Sequence, residues 1–146
     1  MDTRRLLLIF FTAFLILVGY VYFFMYNKPH QDVHKAAPDF TIEAMALYNE
    51  FEDDEVVANE RYLGKIIRVE GRVLEVEVRD GKPSAIRLDV GHVLNSVVCE
   101  LDEVYPRAIQ DLEMGDKVVV QGVCTGYLDD VILNRCGLIR RVDDSK

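Results

Sequence analysis

KIIRVEGRVLEVEV, Lys65 to Val78, decides the fold. Ile67, Val69, Gly71 and Val73 recur at every second position and share one face of a strand. The phase then flips, and Leu74, Val76 and Val78 take over. A long strand that changes its buried face beside a glycine bends or bulges, and can serve two halves of a barrel. Asp80-Gly81-Lys82-Pro83 ends it, with Asp-Gly as the hairpin signal. A second strand is predicted over Ser84–Val90, with Ile86, Leu88 and Val90 inward. Gly91 to Asn95 connects to a third, Ser96–Leu101, with Val97, Cys99 and Leu101 inward. A helical insert, Pro106 to Leu112, starts on a proline at the position where no donor is needed. Two more strands follow, Lys117–Cys124 with Val118, Val120 and Cys124 buried, and Asp130–Ile139, joined by a turn over Gly126–Asp130. Three strands, a helix and two strands, with a long kinked first strand, is the layout of an OB-fold, a five-stranded Greek-key barrel. The class expected is mainly β, with the barrel over residues 64–141 and a tail over 142–146.

Upstream of the barrel, residues 40–63 read as a helical segment packing on it. A helix is predicted from Thr41, as its cap, to Glu52, with Met45, Leu47, Tyr48 and Phe51 as its apolar surface. Asp53 or Asp54 then starts a shorter turn, Glu55–Arg61, carrying Val56, Val57 and Ala58. Acidic residues near a helix start are favoured by the dipole, which accounts for the run EFEDDE without a metal. Residues 27–39, NKPHQDVHKAAPD, read as a linker. His30 and His34 stand four apart, but prolines flank them and no third ligand is in view, so solvated histidines are expected.

The N-terminus carries LLLIFFTAFLILVGYVYFF, Leu6–Phe24, 19 residues without a charge. At about 1.5 Å per residue such a helix just spans a hydrocarbon core of roughly 30 Å. A cleaved signal peptide has a shorter apolar region and ends in small residues, whereas Val21-Tyr22-Phe23-Phe24-Met25-Tyr26 is bulky. An uncleaved anchor over 6–26 is expected, after a cytoplasmic tail over 1–5 holding Arg4 and Arg5. The chain after it would be periplasmic or otherwise extracytoplasmic.

Of the 17 basic and 25 acidic residues, the first 26 positions hold two arginines and one aspartate, leaving 15 against 24 and a net of −9 beyond the anchor. Such a surface is repelled by phosphate backbones. The strands between Gly64 and Leu101 contain no Phe, Tyr or Trp, and single-strand binders need aromatic platforms in a basic groove. Their outward residues, Arg68, Glu70, Arg72, Glu75, Glu77, Arg79, Arg87 and Asp89, are four of each sign and read as cross-strand ion pairs. No nucleic acid is expected as a partner.

The stretch DDEVVANERYLGKIIRVEG (Asp53–Gly71), followed by SVVCEL and MGDKVVVQGVCTGYLDDVILNRC, resembles the tRNA-anti-like family of bacterial OB-fold envelope proteins. The likeness runs from about Ala44 to Ile139 and is most specific over Gly122–Cys136. It implies the fold and an envelope location, and no reaction or ligand.

Three cysteines, Cys99, Cys124 and Cys136, would lie inside the barrel. In an oxidising compartment either Cys124–Cys136 or Cys99–Cys136 is a sensible disulfide, worth roughly 3 kcal/mol for a loop of about 15 residues. Three buried thiols would also pack adequately. A catalytic thiol is not expected, because no histidine lies near the cysteines in sequence and His92 is the barrel's only one, and a zinc site is not expected, because no paired cysteine spacing exists. The candidate ligand-binding residues are Thr125, Tyr127, Asp129 and Asp130, since the loop between the last two barrel strands flanks the usual OB groove. The plainer reading is that Gly126 shapes a turn and Asp130 caps backbone donors. The function expected is a membrane-anchored, non-catalytic binding or scaffolding module, without cofactor or metal, for a protein, peptide or glycan. The alternative is a small enzyme or metal-binding protein using Asp129, Asp130 and His92.

Overall fold

The computed structural model describes residues 3–26, 32–102 and 109–142. The chain forms two compact units, Met1–Gln31 and Asp32–Lys146. The first contains helix α1, Thr3–Tyr26. Its stretch Thr3–Phe23 has a mean hydropathy of 2.5 and is long and apolar enough to cross a membrane. Thr12, its hydroxyl within an otherwise apolar run, donates back to the Leu8 and Ile9 carbonyls.

The second unit is the expected barrel with its helical segment. Its elements are β1 (Phe40–Glu43), α2 (Ala44–Asp53), α3 (Glu55–Tyr62), β2 (Ile66–Arg79), β3 (Lys82–Asp89), β4 (Ser96–Leu101), β5 (Lys117–Leu128) and β6 (Asp130–Val142). The sheet closes in the order β2–β3–β4–β6–β5 and back to β2, with only β4 and β6 running parallel within the ring. The bend in β2 makes closure possible. Its first half, Ile66 to Arg72, pairs with β5, and its second half, from Val73, pairs with β3. A register shift between Val73 and Glu75 leaves Leu74 as the bulged residue, so the buried phase passes from Ile67, Val69 and Val73 to Val76. A second shift follows Glu77, and Val78 faces solvent instead of joining the core as its spacing suggested. The Asp80-Gly81 turn has both residues at positive φ, 53° and 73°, which is the two-residue hairpin its sequence announces.

Two expectations upstream need correction. Thr41 does not cap a helix. Phe40–Glu43 is a strand, parallel to Ile67–Glu70, because the first half of β2 has no β3 beside it and its edge takes another partner. Asp39 begins that pairing, its backbone N–H donating to the Ile66 carbonyl (2.8 Å) and its carboxylate accepting the Ile66 N–H (2.9 Å). Helix α2 therefore starts at Ala44 and buries Ala44, Leu47, Tyr48 and Phe51, the spacing of one helix face. Gly71 admits it, since a Cβ there would stand 3.0 Å from the Ala44 Cβ. Asp54 does cap α3, accepting the Val56 and Val57 N–H groups at 3.1 Å. That helix buries Ala58 and Tyr62 and leaves Val56 and Val57 exposed.

The second correction concerns the linker. His30 lies outside the described residues, but from Asp32 onward the segment packs on the outside of β5 and β6 as a strap. Val33 is buried, and His34 is not a solvated histidine: its ring lies where a Cβ on Gly137 would be, 1.9 Å from Nδ1. The anchor is Gln121, which is fully buried on the outer face of β5. Its amide donates to the Val33 (2.6 Å) and Ala36 (2.8 Å) carbonyls, and its Oε1 accepts from Arg68 Nε (3.0 Å). The helical insert predicted from Pro106 falls largely outside the described residues; Ile109 to Leu112 forms one turn, with Ile109 buried. Strands β5 and β6 both run past their predicted ends, to Leu128 and Val142.

Candidate functional site

The extension of β5 moves the hairpin turn. Thr125, Gly126 and Tyr127 are strand residues, and the chain reverses at Asp129, at a φ of 60°. A register shift between Cys124 and Gly126 makes Thr125 a bulge, and its hydroxyl donates to the Ile132 carbonyl at 3.1 Å. The four predicted site residues therefore part company. Thr125 is occupied within its hairpin, and Tyr127 turns toward α2. Its ring stacks on Phe51 at 5.7 Å and meets Tyr48 edge-on at 6.0 Å. Tyr48 also touches His92 at 5.3 Å. A hydrogen bond with Tyr127, aided by burial, pushes the Tyr48 phenol up to about 12.

Asp130 points to the opposite side, onto the outer face of β2, β3 and β4. There its carboxylate accepts from the Ser96 N–H (2.6 Å), the Ser96 hydroxyl (3.0 Å) and Arg87 Nη2 (2.8 Å). Arg87 Nη1 reaches Glu77 on the other flank, at 3.1 Å. The plainer reading of Asp130, as a cap for backbone donors, describes this geometry. Asp130 is taken up by Ser96 and Arg87, and among the described residues no three His, Cys, Asp or Glu side chains gather where a metal could sit.

Other expected ion pairs are redistributed. Glu70 pairs with Lys117 of β5 at 2.6 Å, while Arg72 Nη1 donates to the Gly115 carbonyl. Beyond Arg87, the same outer face opens into a cleft of about 620 Å³, bordered by Arg79, Lys82, Ser84, Glu100 and Asp102.

The structure also shows residues that sequence reasoning passed over. Asn95 Nδ2 donates to the Asp129 carbonyl (2.8 Å), and Asp89 accepts the Gly91 N–H (2.8 Å), so the 90–95 loop is tied to the hairpin tip. The two joined loops present Val93 (98% exposed), Leu94 (86%) and Leu128 (79%) to solvent. Half-exposed Met45 reaches the start of the same loop, its Cε 3.1 Å from where a Cβ on Gly91 would be. The signal was available in HVLNS: two large aliphatic residues inside a turn-forming segment.

All three cysteines are buried free thiols. Cys99 and Cys136 share a hydrogen bond, and Cys136 Sγ also donates to the Leu133 carbonyl at 3.3 Å. Burial pushes the Cys124 and Cys136 thiols up, away from the reactive thiolate. Cys124 pairs in register with Leu133 and not with Cys136.

This barrel, with its leading apolar helix and short helical pair, matches the tRNA_anti-like family over residues 1–138. The chain belongs to the tRNA_anti-like family. Among curated proteins, none matches it significantly. Among solved structures, this tRNA_anti-like chain is similar to a Klebsiella pneumoniae lipoprotein provisionally described as nucleic acid-binding. The TM-score is 0.56 with 15% identity, over 68% of this chain and 91% of that one, a likeness of fold. The S. pombe Stn1–Ten1 complex matches at a TM-score of 0.40 and 16% identity, over 51% of this chain and 58% of that one. An Entamoeba histolytica asparaginyl-tRNA synthetase matches at 0.37 and 11%, over 56% and 22%.

Proposed function

We propose that this tRNA_anti-like protein is a membrane-tethered, non-catalytic binding module of the bacterial envelope, and that its partner is a protein or peptide rather than nucleic acid. The observation that carries the reading is the Arg87 clamp. On the outer face of the strands where OB-folds commonly hold ligands, the central cation is neutralised from both sides, by Glu77 and Asp130. A single strand needs free positive charge and stacking rings, and β2, β3 and β4 supply no aromatic residue. The helix α1, and the envelope location that the family resemblance implies, support the tether. In an extracytoplasmic location a disulfide-carrying oxidoreductase would meet Cys99 and Cys136, whose thiols touch in the folded barrel, before folding buries them, and Cys124 would be left free.

The full chain should bind single-stranded DNA or RNA no better than about 10⁻⁴ M at physiological salt. A micromolar Kd with a steep salt slope would return the protein to the activity ascribed to the Klebsiella lipoprotein. Alkaline phosphatase fused after Lys146 should be active and membrane-bound; activity in the soluble fraction would mean that the anchor is cleaved.

A further inference from the structure

The apolar end of the barrel has no work to do in the fold. Val93, Leu94 and Leu128 are almost wholly in water, although they come from two separate loops. Scattered exposed aliphatics are ordinary, but here the Asn95–Asp129 hydrogen bond holds the two loops that carry them side by side, and large apolar side chains gathered so mark an interaction site. The two loops are held by the Asn95–Asp129 bond, by the Asp89–Gly91 bond, and by ring contacts, His92 on Tyr48 and Tyr127 on Tyr48 and Phe51. Charge gives the site its sign. Glu52 and Asp129 both lie close enough to act electrostatically on Tyr48, and Asp89 borders a cleft with Met45 and Glu43, whose two cations are engaged, Lys117 by Glu70 and Arg72 by the Gly115 carbonyl.

We propose that this end is a docking surface for a partner protein segment that carries two or more large apolar side chains flanked by lysine or arginine. The apolar side chains would cover Val93, Leu94 and Leu128, and the basic flanks would meet Glu52, Asp89 and Asp129. An acidic peptide, or an anionic lipid surface, is repelled by the same carboxylates. The proposal rests on the binding-module reading and gives it a location on the molecule.

The test uses the full chain in phosphatidylcholine nanodiscs. The probe is a fluorescent nine-residue peptide with two leucines flanked by lysines and arginines, read against empty discs. Binding should saturate. It should weaken about tenfold or more in Val93→Ser/Leu94→Ser, because two desolvated side chains are lost from the contact. Glu52→Gln/Asp129→Asn should weaken it by about threefold to tenfold and flatten its salt dependence. Val78→Ser, which removes an exposed aliphatic elsewhere on β2, should leave it unchanged.

Undiminished binding by Val93→Ser/Leu94→Ser, or equal binding of a peptide with glutamates in place of its basic residues, overturns the proposal. So does a result in which those variants lose association with phosphatidylglycerol vesicles and keep the peptide. The two readings fail separately. A protein crosslinked at Glu100 with the apolar-end variants silent keeps the module and removes this site. A peptide held at this end and chemically altered keeps the site and removes the non-catalytic reading.

Discussion

Two outer faces of the same barrel are finished in opposite ways. Behind β5 and β6 the chain covers its own surface: the strap lies over Gln121 and Gly137, and a polar side chain is completely buried with its donors and acceptor engaged. On β2, β3 and β4 no described residue forms such a cover, and the polar groups satisfy one another around Arg87. A hydrogen bond removed from the first face leaves buried carbonyls without a donor, whereas one removed from the second is replaced by water. The covered face should therefore govern stability, and the open face should be nearly free to change.

Substitutions rank accordingly. Gln121→Ala strands the Val33 and Ala36 carbonyls and costs about 2–3 kcal/mol by chemical denaturation. It should also speed tryptic cleavage after Lys35, and an unchanged melt would show that the strap does not close this face. Gly137→Ala places a methyl group where the His34 ring lies and should cost about 1–2 kcal/mol. Because His34 has to leave and the barrel does not, the loss should come with the same exposure of Lys35 to trypsin.

On the open face, Arg87→Met keeps the stem and loses two ion pairs, for about 1 kcal/mol. Cleavage at Lys35 should stay at the parent rate; acceleration would mean that the two faces are coupled. Glu70→Gln is smaller still, about 0.5 kcal/mol or less at neutral pH. The hydrogen bond from Lys117 holds the Glu70 carboxyl below its ordinary value of 4.5. Its contribution is therefore present above that value and lost as pH falls through the lowered one. Parent and variant stabilities should converge in acid, and a gap that widens there would reverse the sign of this account.

The open face was far easier to read from the amino acids than the covered one. Alternation in β2, β3 and β4 located Ile67, Val69, Ile86, Leu88, Val97 and Cys99 inside, because a sheet wet on one side prints its period in the chain. Strand β5 broke that pattern. Lys117-Val-Val-Val-Gln-Gly-Val-Cys124 is apolar on both faces, the signature of a strand covered from both sides, and Val119 and Gln121 are indeed buried on the outside. What covers them could not be read, since the cover is a proline-flanked segment some 85 residues away in sequence, held mostly through its backbone. Phe40–Glu43 misled for a related reason: four residues beside a helix carry too little period to separate strand from first turn. At the candidate site, Tyr127 was legible as an aromatic in a loop, but its contacts with Tyr48 and Phe51 depend on how α2 crosses the barrel. Asp130 looked available because its partners, Arg87 and Ser96, are brought to it only by strand pairing.

The strap also has a mechanical meaning. It lies between the apolar helix and the barrel along the chain, so where α1 is held in a bilayer, any pull on the domain reaches the Gln121 contacts before it reaches a barrel strand. Those few hydrogen bonds can yield one at a time, whereas extracting β5 would break two ladders at once. Yielding releases residues 32–38, each worth about 3.3–3.6 Å of chain, into the tether. A load that draws the domain away from the membrane would thus pull out a reserve of length while the barrel stays folded.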